Sequence, residues 1–81
     1  MKLPRDMSGL ELAKALSRLG YVVERQTGSH IRLTTLRPSE HHVTVPAHDP
    51  LKVGSLNAIL RDVGEHAGMD RNALLRFLFG E

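Results

Sequence analysis

Residues 21–46 read YVVERQTGSHIRLTTLRPSEHHVTVP, and their pattern sets the architecture of the chain. Tyr21 to Gln26 is rich in β-formers and reads as a strand. Thr27-Gly28-Ser29 is a tight connection. From His30 to Leu36 the residues alternate: Ile31 and Leu33 point one way, His30, Arg32 and Thr34 the other. Arg37-Pro38-Ser39-Glu40 makes a second turn. His41 to Pro46 is a third strand, with Val43 and Val45 on one face and His42 and Thr44 on the other. Pro46 cannot donate to a ladder and so marks a strand end. Three strands joined by short turns imply an antiparallel meander with one face on a core and one face open to water. The open face displays His30, Arg32, Thr34, His42 and Thr44.

On the N-terminal side, Met1 to Met7 reads as a lead-in in which Pro4 discourages helix. Ser8-Gly9-Leu10-Glu11 then has the form of a capping box. Leu12, Leu16 and Leu19 recur at helical spacing, flanked by Leu10 and Ala13, and Gly20 is placed to end the helix. On the C-terminal side, Ala47 to Gly54 is a loop. A second helix runs from about Ser55, with Leu56, Ile59, Leu60 and Val63 inward and Gly68 as its stop. Asp70 caps a last short helix that turns Leu74, Leu75 and Leu78 inward. The order is α-β-β-β-α plus a short C-terminal α. This predicts an α+β fold with its helices on one face of a three-stranded sheet. The layout resembles the double-stranded-RNA-binding-domain architecture.

Eighty-one residues point to a single domain, 1–81. A hydrophobic content of 41% is enough for a packed core and too high for a disordered chain. The absence of cysteine excludes disulfides and thiolate metal sites and fits a reducing compartment. No apolar run is long enough to span a membrane, and the N-terminus lacks the apolar region of a signal peptide. The expected location is therefore the cytoplasm, without a membrane partner. The net charge of +2 is compatible with a polyanionic partner.

His30 is the first candidate for chemistry. It follows Gly28-Ser29 directly and lies on the open face, where an imidazole can exchange protons near neutrality. Arg32 shares that face, and Arg25 lies at the end of the partner strand, just across the turn. Guanidinium beside imidazole suits a phosphodiester: the cation holds the phosphate while the imidazole moves a proton. RNA supplies its own nucleophile, the 2′-hydroxyl, so neither a metal nor a protein nucleophile is required. Gly28-Ser29 offers backbone N–H groups to a phosphate. His48 is a weaker candidate for a second proton-transfer group. Lys52 and Arg61, at the start and middle of the second helix, could add phosphate contacts. The same pattern also fits an exposed strand histidine without a role, an ordinary hairpin turn and a solvated helix face. His41 and His42, adjacent on a strand, point to opposite faces and cannot easily share an ion, so no metal or other cofactor is expected. With 4% aromatic residues, stacking of bases is not a main feature.

Arg25-Gln26-Thr27-Gly28-Ser29-His30, followed by Val43-Thr44-Val45-Pro46-Ala47-His48, resembles the HicA toxin family. Gly20-Tyr21 before the first strand is similar to that family's "GF/GY" step. Gly54-Ser55-Leu56-Asn57-Ala58-Ile59-Leu60 is similar to its "G-T-L-x-x-I-L" helix start, with Ser55 where threonine is commoner. The likeness covers about Leu10 to Leu60; beyond it, Arg61 to Gly68 is longer and more polar than is typical. The resemblance implies a double-stranded-RNA-binding-like fold and cleavage of messenger RNA, with the histidine of Gly-Ser-His, His30, as the catalytic group. It also implies a HicB-type antitoxin partner. On this reading Arg25, Ser29, Arg32, His48 and Lys52 contact RNA, and the chain by itself takes no DNA. Two other readings compete: a double-stranded-RNA-binding-like module without activity, and a pure protein-interaction domain.

Overall fold

The computed structural model describes residues 3–4 and 6–80; Met1, Lys2 and Arg5 of the expected lead-in, together with Glu81, lie outside the described residues. The elements are α1 (Gly9–Leu16), a 3-10 turn (Ser17–Leu19), β1 (Val22–Thr27), β2 (His30–Thr35), β3 (His41–Pro46), α2 (Val53–Ala67) and α3 (Arg71–Phe79). The strands form one antiparallel sheet in the order β1-β2-β3. This is the expected α+β layout, consistent with a double-stranded-RNA-binding-domain-like fold.

Helix α1 starts on the capping box. The Glu11 N–H donates to Ser8 Oγ at 3.1 Å, and the Ser8 N–H donates to Glu11 Oε1 at 3.0 Å. Two orphan donors of the first turn are thereby satisfied. The helix stops at Leu16, earlier than its leucine spacing implies, because Ser17–Leu19 tightens into a 3-10 turn. Gly20 then reverses the chain at φ 87°. Leu19 is in consequence only partly buried, while Tyr21 enters the core and β1 begins one residue later, at Val22. Leu10, expected to flank the apolar stripe, is exposed.

The core lies between one sheet face and the helices. Ile31, Leu33, Val43 and Val45 meet Leu12 and Leu16 of α1, Leu56, Leu60 and Val63 of α2, and Leu74, Leu75 and Leu78 of α3. Each fully buried aliphatic side chain contributes about 1.5–3 kcal/mol. Helix α1 packs on β2 and β3, and α2 on β3. All six residues of β1 are exposed, including Val22 and Val23, so this edge strand projects beyond the helix layer.

Helix α2 starts at Val53, two residues before the expected Ser55, and its first turn closes through the Leu56 N–H and the Lys52 carbonyl at 3.0 Å. The polar stretch after Leu60 continues the helix, with Val63 and Gly64 buried. Gly64 sits in a tight place: a Cβ there would lie 3.1 Å from the Met69 carbonyl oxygen and 3.4 Å from Leu74 Cδ2. Helix α3 is capped by Asp70, which accepts from the Ala73 N–H at 2.8 Å. At the opposite end of the sheet, the Gly9 N–H donates to the His48 carbonyl at 2.9 Å and the Leu51 N–H to the Met7 carbonyl at 2.7 Å. These bonds fasten the loop after β3 to the start of α1.

Candidate nucleic-acid interface

His30 opens β2 on the open face and pairs with Thr27 on one side and Pro46 on the other. Its Nδ1 is 3.0 Å from Ser29 Oγ, and the ring makes no other hydrogen bond among the described residues. With Nδ1–H donated to the serine oxygen, Nε2 is left to accept and return a proton. Gly28 and Ser29 form a two-residue hairpin connection between β1 and β2. The Ser29 carbonyl accepts from the Ala47 N–H at 2.9 Å, which ties this turn to the loop after β3.

Arg32 lies two residues along the strand on the same face, opposite Thr44 on β3 and Arg25 on β1. Arg25 keeps the unbroken register that runs back from the turn, and the shift falls just upstream of it. Val23 pairs with Leu33, Arg25 pairs with Arg32, and Glu24 is the extra residue between them. Strict alternation would turn Glu24 and Arg25 to opposite faces; a bulge puts both on one face. Two arginines are thus cross-strand partners on one face, and like charges in that position repel without a counter-charge.

Glu24 supplies that counter-charge. Arg32 Nε–H donates to Glu24 Oε1 at 3.2 Å, and the Thr34 hydroxyl donates to Glu24 Oε2 at 2.9 Å. Thr34 Oγ1 also lies 2.7 Å from His42 Nδ1, and His42 Nε2 lies 2.8 Å from Glu40 Oε2. Thr34 has one proton to give, and Glu24 takes it. The Thr34 hydroxyl, first, and then Arg32 and His42 hold the Glu24 carboxyl below the usual glutamate range, against a partial desolvation that acts the other way. The open face is therefore divided. Arg25, His30 and Arg32 occupy the end nearest the Gly28-Ser29 turn, and a carboxylate–hydroxyl–imidazole network occupies the other.

The remaining candidates lie apart from this group. His48 is exposed in the loop after β3, anchored by its carbonyl, and its ring makes no hydrogen bond among the described residues. Lys52 is the exposed N-cap residue of α2, whose first turn has no side-chain cap. Neither side chain bonds to Arg25, His30 or Arg32. His42, four residue pairs from His30 along the strands, is about 13 Å away at ~3.3 Å per residue. His41 and His42 do point to opposite faces. The Tyr21 hydroxyl donates to His41 Nδ1 at 2.7 Å, and His41 Nε2–H donates to Asp62 at 3.2 Å. The His41 ring stacks on His66 with centroids 4.3 Å apart, and His66 Nε2–H donates to the Ser39 carbonyl. Among the described residues no three histidine or carboxylate side chains gather in a way that could hold a metal ion.

Glu24 escaped the sequence reading. The one signal for it was the polar run Glu24-Arg25-Gln26-Thr27, which interrupts alternation where the bulge falls. No curated protein and no solved structure matches the chain. The family model for the HicA toxin of bacterial toxin–antitoxin systems matches residues 9–65, a span that takes in α1, the whole sheet and most of α2. The ordered motifs around Gly28-Ser29-His30 and Pro46-Ala47-His48 fall within that span, and the chain belongs to the HicA toxin family.

Proposed function

We propose that this chain is a metal-independent endoribonuclease that cleaves messenger RNA in the cytoplasm as one domain, 1–81. The observation that carries the reading is the exposed His30 ring, oriented by Ser29, on the same face as two arginines paired across β1 and β2. The phosphodiester sits against Arg25 and Arg32, with Ser29 and the turn amides beside it. His30 Nε2 takes the proton of the 2′-hydroxyl, or gives one to the leaving 5′ oxygen. The 2′-oxygen bonds to phosphorus as the P–O5′ bond breaks. General acid–base catalysis of this kind contributes about 10²–10⁴-fold. His48 and Lys52 contact the flanking strand, and no other cofactor takes part.

The family implies an antitoxin partner. In this proposal the partner is of HicB type and covers the His30 face, excluding RNA and neutralising the arginines together. The assay is incubation of the purified protein with RNA in chelator. The wild type should cut, and His30→Ala should lose cleavage by at least about 10²-fold at unchanged thermal midpoint, since the ring is exposed and holds only Ser29. Cleavage by the variant at the wild-type rate would remove His30 from the mechanism. Binding with a steep salt dependence and no products would favour the inactive double-stranded-RNA-binding-like module.

A further inference from the structure

Glu24 stands where a phosphate-binding surface should least tolerate it. Its carboxylate lies on the same face as Arg25, His30 and Arg32, half-exposed, and repels a polyanion. It is nonetheless held there from two sides: Oε1 takes the Arg32 Nε–H, and Oε2 takes the Thr34 hydroxyl. Arg25 reaches the open face by regular alternation from the turn, and the bulge brings Glu24 there beside it.

We propose that Glu24 is a positioning residue of the RNA site: anchored by Thr34, it grips Arg32 at Nε and aims the terminal amino groups of the guanidinium at the phosphate beside His30. The inference rests on the ribonuclease reading above. An arginine side chain on an open sheet loses much rotamer freedom when it binds an anion. A bond at Nε removes part of that freedom in advance. Among the described residues Arg32 makes no other side-chain hydrogen bond, so its two terminal nitrogens remain available to a bidentate phosphate contact. Glu24 also lessens the repulsion between Arg32 and the directly opposed Arg25, and so both cations can stay on the face without ligand.

Charge alone and positioning give opposite signs. If Glu24 were only a repelling charge, its removal would tighten RNA binding. Positioning requires that Glu24→Ala weaken it. RNA affinity is measured by fluorescence anisotropy in the His30→Ala background at fixed salt, and kcat and KM are measured with His30 intact. Glu24→Ala should raise Kd and KM about 5–10-fold while kcat changes less than about two-fold, because proton transfer at His30 is untouched. Glu24→Gln keeps an acceptor for Arg32 Nε and should bind as well as the wild type or better. Thr34→Val alters no charge and releases one side of the Glu24 carboxylate, so it should weaken binding in the same direction. In the Arg32→Ala background, Glu24→Ala should have no further weakening effect. Tighter binding by Glu24→Ala, or an equal loss with and without Arg32, would overturn the inference while leaving the ribonuclease reading in place. A wild-type protein that neither binds nor cuts RNA would overturn both.

Discussion

Gly28 carries no backbone strain and fills no tight space. Its φ lies outside the left-handed region, and a Cβ on it would meet nothing within 4 Å. Nothing inside the molecule demands glycine there, so alanine at this position tests whether RNA approaches the turn closely. Gly28→Ala should therefore keep or slightly raise the thermal midpoint, by the equivalent of about 0.4–1 kcal/mol, through a less entropic unfolded chain. RNA cleavage by the same variant should fall at least about tenfold, since a misplacement near 1 Å at a reacting centre is enough to do so. Full activity in the stable variant would show that RNA does not approach the turn so closely. At this scale the sequence was partly legible. His30 and Arg32 could be put on one face because alternation from His30 onward is unbroken. Glu24 could not, since an extra residue changes the parity of every side chain upstream of it relative to its partner strand.

The elements divide according to how local their signals are. Helices α1 and α3 begin where their caps stand, since Ser8 and Asp70 each bond a backbone N–H of the first turn. Helix α2 has no side-chain cap at Lys52, and its start was misplaced by two residues for want of that signal. Gly64, which weakens a helix in isolation, is accommodated because α3 packs close against it. The capping box offers a direct test. Ser8→Ala should cost about 1 kcal/mol in chemical denaturation, most of it expressed in α1. The backbone N–H of Ser8, first, and then its hydroxyl hold the Glu11 carboxyl below its ordinary range. A carboxyl whose folded value is depressed stabilises above its unfolded value, about 4.3, and that stabilisation is lost as pH falls through the folded value. The stability difference between wild type and Glu11→Ala should accordingly shrink as pH is lowered through that range. A difference constant with pH would separate the cap from the charge.

Across the whole molecule, the end of the sheet far from His30 is fastened to α2 by a polar cluster. Tyr21 bonds His41, His41 bonds Asp62, and His66 stacks on His41. None of these contacts was visible in the sequence, because they join residues 20 or more positions apart that share no periodicity. Burial, and secondarily the charge of Asp62, pushes the Tyr21 phenol up to about 12. For an acid whose folded pKa is raised, stability is fully present below the unfolded value, about 10, and declines as pH rises toward the folded one. The denaturation midpoint should therefore fall between pH of about 10 and 12, and Tyr21→Phe should flatten that fall. At pH 7 the same variant should be less stable by about 0.5–1.5 kcal/mol, the net worth of one hydrogen bond. An identical alkaline decline in both proteins would locate it at other groups.

The irregularity in β1 has a second effect. This strand lies outside the helix layer, with Val22 and Val23 bare and, among the described residues, no strand paired along its outer edge. A long flat edge of that kind is a template on which another chain can add a strand and begin to aggregate. The extra residue breaks the flatness near the middle of β1, and it sets an acid and a base side by side there. The deformation that sets Glu24 against Arg32 therefore also discourages a toxin molecule that has lost its antitoxin from sticking to its own kind.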